Sequence, residues 1–193
     1  MVESRWYNTI ITLLSMKVTP TTINGVLVIT LAPFKDERGV FAKTFNLDQF
    51  KKLGLETNFT ESFYSISKKD VIRGMHFHLP PKDHFKLIYV TSGAVLDVAL
   101  DLRKNSPTYG KHFAIELSQE NNTMIYIPPG CAHGFRALQD NTCTVYMQTG
   151  MYSSEHDSGI HVESFGMDWG VSNPTLSERD KNFVTLPEFI TPF

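Results

Sequence analysis

The 193-residue sequence predicts an all-β fold, a sandwich or barrel built from many short strands. Three observations carry this. Short strand-like runs recur along the chain, each bounded by turn residues. One run, "AVLDVALDLR", alternates cleanly between apolar and polar positions. Helical periodicity is confined to two short stretches.

Taken in order, "GVLVITL" starts at Gly25 and "GVFAKTF" at Gly39, with the charged turn "KDERG" between them. In "LDQFKKLGL" (Leu47–Leu55), Leu47, Phe50 and Leu53 recur every three residues, and Gly54 is placed to stop a short helix. "ESFYSIS" then alternates from Glu61, followed by "VIRGMHFH" and "KLIYVTSG". In "AVLDVALDLR", Ala94, Leu96, Val98, Leu100 and Leu102 share one face, which is expected to lie in an apolar core. Val95, Asp97, Ala99 and Asp101 share the other. Further strands are expected at "KHFAIEL", "TMIYIPP", "HGFRALQ" and "TVYMQTGMY", and a second short helix in "LSERDKNF". No linker or internal repeat divides the chain, so residues 17–193 are expected to form a single domain after an N-terminal extension, residues 1–16. Met16 offers a second possible start of translation.

Composition excludes some functions. A formal net charge of -2 gives no general attraction to nucleic acid or to an anionic membrane surface. The apolar run Ile10–Leu14 is too short to span a bilayer, and Glu3 together with the missing small-residue cleavage pattern argues against a secretion signal. The two cysteines, Cys131 and Cys143, form no CxxC pair, which argues for a reducing compartment and against a thiolate metal site. The expectation is a cytoplasmic protein.

The chemistry concentrates around "RGMHFH", Arg73–His78. Alternate strand residues point the same way, so His76 and His78 share a face. One reading is a divalent-metal site of His76, His78, Asp83 and His133, as in metal-binding cupins. Lys82 and Lys86 stand close in sequence and oppose a nearby cation. The other reading makes a histidine a carbon base, suited to pH 7 by an ordinary pKa of about 6.5. Such a base needs a carboxylate to orient it, a cation for the enolate oxygen and an acid on the far side of the carbon. Asp180, Lys86 and Tyr146 or Tyr152 can supply these. Read singly, Tyr146 also fits a core aromatic, Asp180 a helix cap, and His78 simple packing beside a proline-rich turn.

From about Lys17 to about Phe183 the sequence resembles the dTDP-4-dehydrorhamnose 3,5-epimerase family. "DERGVF", "VIRGMHFH", "KLIYV", "LDVALDLRKNSPTYG", "IPPGCAHGF", "VYMQTGMYSSEHDSGI" and "LSERD" occur in the family's order. The resemblance implies a cupin-type double-stranded β-helix, or jelly roll, with short flanking helices. It also implies a homodimer using neither metal nor cofactor and acting on a nucleotide-diphosphate sugar. The family removes the proton α to the C4 ketone of a nucleotide-linked 4-keto-6-deoxyhexose. Carried over by position, His76 matches the base, Asp180 its orienting carboxylate, Lys86 the enolate-stabilising cation and Tyr146 the opposing acid. Arg73 matches a diphosphate-binding arginine, and His133 and Tyr152 match residues of the same pocket. Arg38 and Phe41 match residues that hold the nucleotide, in the family often across the subunit interface.

Some positions depart from the family. Lys43 stands where a glutamate is usual, and Glu61 and Phe63 where Gln and Asn are usual. A Lys43–Glu61 pair complements cytosine better than thymine, so a CDP-linked sugar is the alternative substrate. His78 replaces a glutamine, His84-Phe85 a Gln-Gly pair, and "QTGMY" a "TTDYY". His78 is therefore read as a specificity or packing residue, and the number of carbons inverted stays open between C3, C5 and both.

Overall fold

The computed structural model describes residues 16–193, so the expected N-terminal extension lies outside the described residues except for Met16. The described residues open with β1 (Met16–Pro20) and β2 (Leu27–Leu31), then the small hairpin β3 (Phe34–Asp36) and β4 (Gly39–Phe41). Helix α1 (Leu47–Lys52) precedes β5 (Glu61–Ser67), β6 (Ile72–His78) and β7 (Lys86–Ser92). Next come β8 (Ala94–Asp101), β9 (His112–Ser118), β10 (Thr123–Ile127), β11 (Cys131–Ala137) and β12 (Thr142–Gln148). Short β13 (Asp157–Gly159), helix α2 (Glu178–Lys181) and a 3-10 turn at Leu186–Glu188 close the series.

The long strands form two antiparallel sheets. One has the order β1-β2-β10-β7-β12-β5 and the other β13-β6-β11-β8-β9. Neighbours in space are mostly distant in sequence, as in a jelly roll. Both sheets contribute side chains to the space between them. Ile88, Val90, Ile125 and Ile127 come from the first, and Val95, Ala99, Phe135 and Ala137 from the second. At one end this interior stays polar, and that end becomes the cavity described below.

Both outer faces are covered too. Phe50 of α1 packs with Phe45, Leu55 and Phe59 over Ile29, Leu87 and Met124 on the outside of the first sheet. Asn46 caps α1 by accepting from the Gln49 N–H, and Gly54, at φ +69°, ends it. Complete burial of Phe50 is worth roughly 1.5–3 kcal/mol, enough to dock so short a helix. The C-terminal segment wraps the second sheet, laying Ile160, Val162, Phe165 and Trp169 over Ile72, Val98 and Leu100.

This wrap alters the expectation for β8. Its Leu face packs beneath the C-terminal segment, while Val95, Asp97 and Ala99 point between the sheets. The two-period pattern is correct, and the polar-looking side is the inside of the roll. Met16 pairs with Leu31, so the first described residue already belongs to the sheet. Strands β1, β3 and β13 were not foreseen. β3 is wholly exposed and β13 is only "DSG", so neither carries a burial pattern that sequence could reveal.

Candidate active site

Inward-facing residues of β5, β6, β7, β11 and β12 line a cavity of about 430 Å³. His76, on β6, is the partly exposed histidine of its wall. Its Nε2 lies 2.9 Å from Asp180 Oδ1, and the side chain of Asp180 is only 5% exposed. A carboxylate can only accept there, so Nε2 carries the proton and Nδ1 keeps its lone pair.

Asp180 is fixed from several sides. The Gly74 N–H donates to its Oδ2 at 3.2 Å, and its own backbone N–H is capped by Ser177 Oγ at 3.0 Å. Ser177 is thus the helix cap, which frees the Asp180 carboxylate for His76. Burial alone would raise the Asp180 pKa, but hydrogen bonding to His76 and Gly74 and the charge of His76 hold it below the usual carboxylate range. Burial pushes the His76 pKa below its ordinary 6.5, against the pull of Asp180, and the cations Lys86 and Arg179 add to the lowering. His76 is therefore neutral, with a free lone pair, at pH 7.

Gly74 makes this geometry possible. At φ +140° its absent Cβ would stand 2.5 Å from Gly134 Cα, so strands β6 and β11 approach at a distance only glycine allows. His133 is directly across from His76 in that pairing. Its Nε2 lies 2.9 Å from Asp97 Oδ2 in a second, fully buried histidine–aspartate pair.

Lys86 and Tyr146 come from the opposite sheet. Lys86 Nζ donates to the His76 carbonyl at 3.0 Å, and burial lowers its pKa to about 8, against the nearby charges of Asp157 and Asp97. A lysine with that pKa is mostly charged at pH 7 and is poorly hydrated, which suits it to an oxyanion. Tyr146 lies between Phe63 on one side and His133 and Phe135 on the other, and burial raises its pKa.

The remaining predicted residues divide. Arg73 lines the cavity; its Nε donates to Ser67 Oγ at 3.1 Å. Tyr152 lines it while 59% exposed, edge-on to His78 at 5.8 Å. His78 is buried, accepts the Ser153 N–H through Nε2 at 3.3 Å, and has its pKa lowered to about 4 by burial and by His84. Glu61 lines the cavity and accepts from Gln148 Nε2, whose Oε1 lies 3.1 Å from His84 Nε2. Lys43 is not on this wall, so Glu61 and Lys43 do not face one cavity within this chain.

Arg38, Phe41 and Lys43 do not line this cavity. Arg38 pairs with Asp36 on the β3–β4 hairpin, and Phe41 is 58% exposed there. The four-residue metal set is not assembled either. Asp83 is off the cavity wall, and among the described residues no three His, Cys, Asp or Glu side chains gather as a metal site.

Comparisons with known proteins identify the family. The profile of the dTDP-4-dehydrorhamnose 3,5-epimerase family matches residues 20–188. The chain is 42% identical over 173 residues to the dTDP-4-dehydrorhamnose 3,5-epimerase of Methanothermobacter thermautotrophicus, covering 87% of this chain and 93% of that protein. This chain belongs to the dTDP-4-dehydrorhamnose 3,5-epimerase family. The epimerase, an isomerase, is also 34% identical over 176 residues to a dTDP-4-dehydrorhamnose 3-epimerase of Streptomyces niveus, covering 90% of this chain and 85% of that one. A Legionella pneumophila dTDP-6-deoxy-D-glucose-3,5-epimerase, solved in complex with dTDP-4-keto-L-rhamnose, superposes with a TM-score of 0.87 at 32% identity. That match covers 91% of this chain and 95% of the other, and it fixes the fold as a cupin-type β roll.

Several residues in or just behind the wall of the epimerase's cavity escaped the sequence reading. Asp97 could have been found as an acid inside an otherwise apolar strand. Arg179 pairs with Asp157 across the cavity edge and stacks its guanidinium 5.2 Å from the Phe183 ring centroid. It stands next to Asp180 in "LSERD", but nothing in the motif distinguished it from a solvated charge. Ser65 and Gln148 carry no signal beyond their inward register on β5 and β12.

Proposed function

We propose that this epimerase inverts C3, C5 or both of a dTDP-linked 4-keto-6-deoxyhexose, by proton removal α to the C4 ketone. His76 takes the proton through Nδ1 while Asp180 holds Nε2–H and stabilises the imidazolium that forms. The electrons move onto O4, where the Lys86 ammonium meets the enolate oxygen. Tyr146 returns a proton to the opposite face. One observation carries this reading. A neutral histidine held by a buried carboxylate faces a lysine and a tyrosine from the opposing sheet of one cavity. A base and an acid on the same wall would exchange the proton without inverting the carbon.

Arg73, half free at the mouth, is the proposed diphosphate anchor, with His133 and Tyr152 shaping the sugar end. The thymidine nucleotide is carried over from the named relatives. We assign Arg38 and Phe41 to a homodimer in which the β3–β4 hairpin reaches the partner's cavity. In support, Phe34, Val40 and Phe41 are 37%, 59% and 58% exposed on that hairpin. Free Cys131 and Cys143 are in keeping with a reducing cytoplasm. Calorimetric titration with dTDP, CDP, UDP and GDP, followed by NMR of the product from the dTDP-sugar, tests the reading. Tightest binding of dTDP and an inverted C3 or C5 are expected; preference for another nucleotide, or unchanged configuration at both carbons, overturns it.

A further inference from the structure

Tyr146 is held more closely than a proton donor needs for burial alone. It pairs in register with Phe63 of the edge strand β5, and their rings stack at 4.8 Å with only 18° between planes. His133 meets the other side of the tyrosine edge-on at 6.0 Å. Two residues further along the same face of β5, Ser65 Oγ lies 3.3 Å from the Tyr146 hydroxyl. Phe63 itself is 45% exposed and lines the cavity. The ring turns one face to Tyr146 and the other outward.

We propose that Phe63 and Ser65 are positioning residues for the acid of the reaction, together setting where the Tyr146 proton points. Phe63 closes the open side of the tyrosine ring, so that with His133 behind it the ring cannot tilt away from the cavity. Ser65 engages the hydroxyl and fixes the rotation of its O–H. The inference rests on the reading of Tyr146 as the proton donor. In that step the C–H bond to the α carbon breaks, its proton goes to His76 and its electrons form the enolate. The Tyr146 O–H bond then breaks, a new C–H bond forms on the other face, and the C4 carbonyl is restored. The tyrosinate regains a proton from water, and His76 releases its own to water, so the site returns to its starting state.

An acid that points wrongly leaves the base intact. Carbon acidity survives, but the enolate is reprotonated from the His76 side. The ratio of solvent exchange without inversion to net inversion therefore reports positioning alone, whereas a general loss of structure lowers both rates together. The experiment runs the wild type, Phe63→Leu, Ser65→Ala, Phe63→Tyr and Tyr146→Phe in heavy water with the dTDP-sugar. NMR follows deuterium in recovered substrate and in product. A donor displaced by about 1 Å costs up to about a hundred-fold. Phe63→Leu and Ser65→Ala should therefore raise the exchange-to-inversion ratio ten- to a hundred-fold, with exchange itself changed less than about three-fold. Phe63→Tyr, which keeps the stack, should restore the wild-type ratio. If both variants keep that ratio while Tyr146→Phe raises it, the inference is overturned and the tyrosine's role stands. If Tyr146→Phe leaves the ratio unchanged, the reading of Tyr146 fails and the inference with it.

Discussion

Replacing Lys86 by methionine should cripple catalysis while stabilising the fold. The ammonium is expected to meet the enolate oxygen at hydrogen-bond distance in a site shielded from water. At an effective dielectric near 20, opposite unit charges about 4 Å apart attract by about 4 kcal/mol. Removing a single oxyanion donor elsewhere costs about 2.7–4 kcal/mol, or 10²–10³ in rate. Both routes give the same range, so Lys86→Met should lower kcat by 10²–10³.

The stability effect has the opposite sign. Burial lowers the Lys86 pKa from 10.5 to about 8, so the folded state disfavours the charged form. That penalty is complete below pH 8, because Lys86 is then protonated in both states. It fades as pH rises toward 10.5, where only the unfolded chain still binds the proton. The shift corresponds to about 3 kcal/mol, reduced to about 1–2 kcal/mol by the water that reaches a partly exposed lysine. Methionine keeps much of the volume without the charge, so Tm at pH 7 should rise by roughly 2–8 °C. Steady-state turnover and differential scanning calorimetry on the same preparation check both halves. A variant retaining more than a tenth of wild-type kcat, or one less stable at pH 7, would refute the reasoning.

Two further outcomes follow from the same geometry. The pH profile of kcat/KM should be bell-shaped: it rises as His76 loses its proton below pH 6.5 and falls near pH 8 as Lys86 loses its own. Asp180→Asn should lower the plateau by about 1.5–3 kcal/mol, or roughly ten- to a hundred-fold, because the charged acceptor at Nε2 is lost; a profile flat from pH 5 to 9 would contradict both assignments. Gly74→Ala places a methyl group 2.5 Å from Gly134 Cα at φ +140° and should destabilise the fold by roughly 2–6 kcal/mol in thermal unfolding. An unchanged Tm would show that β6 and β11 are not so closely apposed.

Most of the sheet was legible because burial imposes period two on the sequence. "ESFYSIS" and "AVLDVALDLR" became β5 and β8 almost residue for residue. Helix α1 was legible through Phe50 and Gly54, which pack it and stop it. What could not be read was which side of a strand faces the roll. Both faces of β8 are buried, and only the C-terminal wrap distinguishes them.

The site shows the same division. His76, Lys86, Tyr146 and Asp180 lie far apart in sequence, and their meeting is a product of topology. Residue type and family order pointed to them. Asp97, Arg179 and Ser65 were missed because a charge or hydroxyl on a strand gives no sign of its partner. Arg38, Phe41 and Lys43 were picked out by family position, and none of them lines the cavity of its own chain. Their hairpin projects from this chain instead of closing over its cavity.

The central claim is that His76 removes a proton from carbon. It is tested most directly by deuterium uptake at C3 and C5 of a dTDP-linked 4-keto-6-deoxyhexose in heavy water, comparing the wild type with His76→Ala. The account predicts uptake with the wild type and about 10²–10⁴-fold less with the variant, which should still bind dTDP as tightly. Uptake by His76→Ala at near wild-type rate would contradict it.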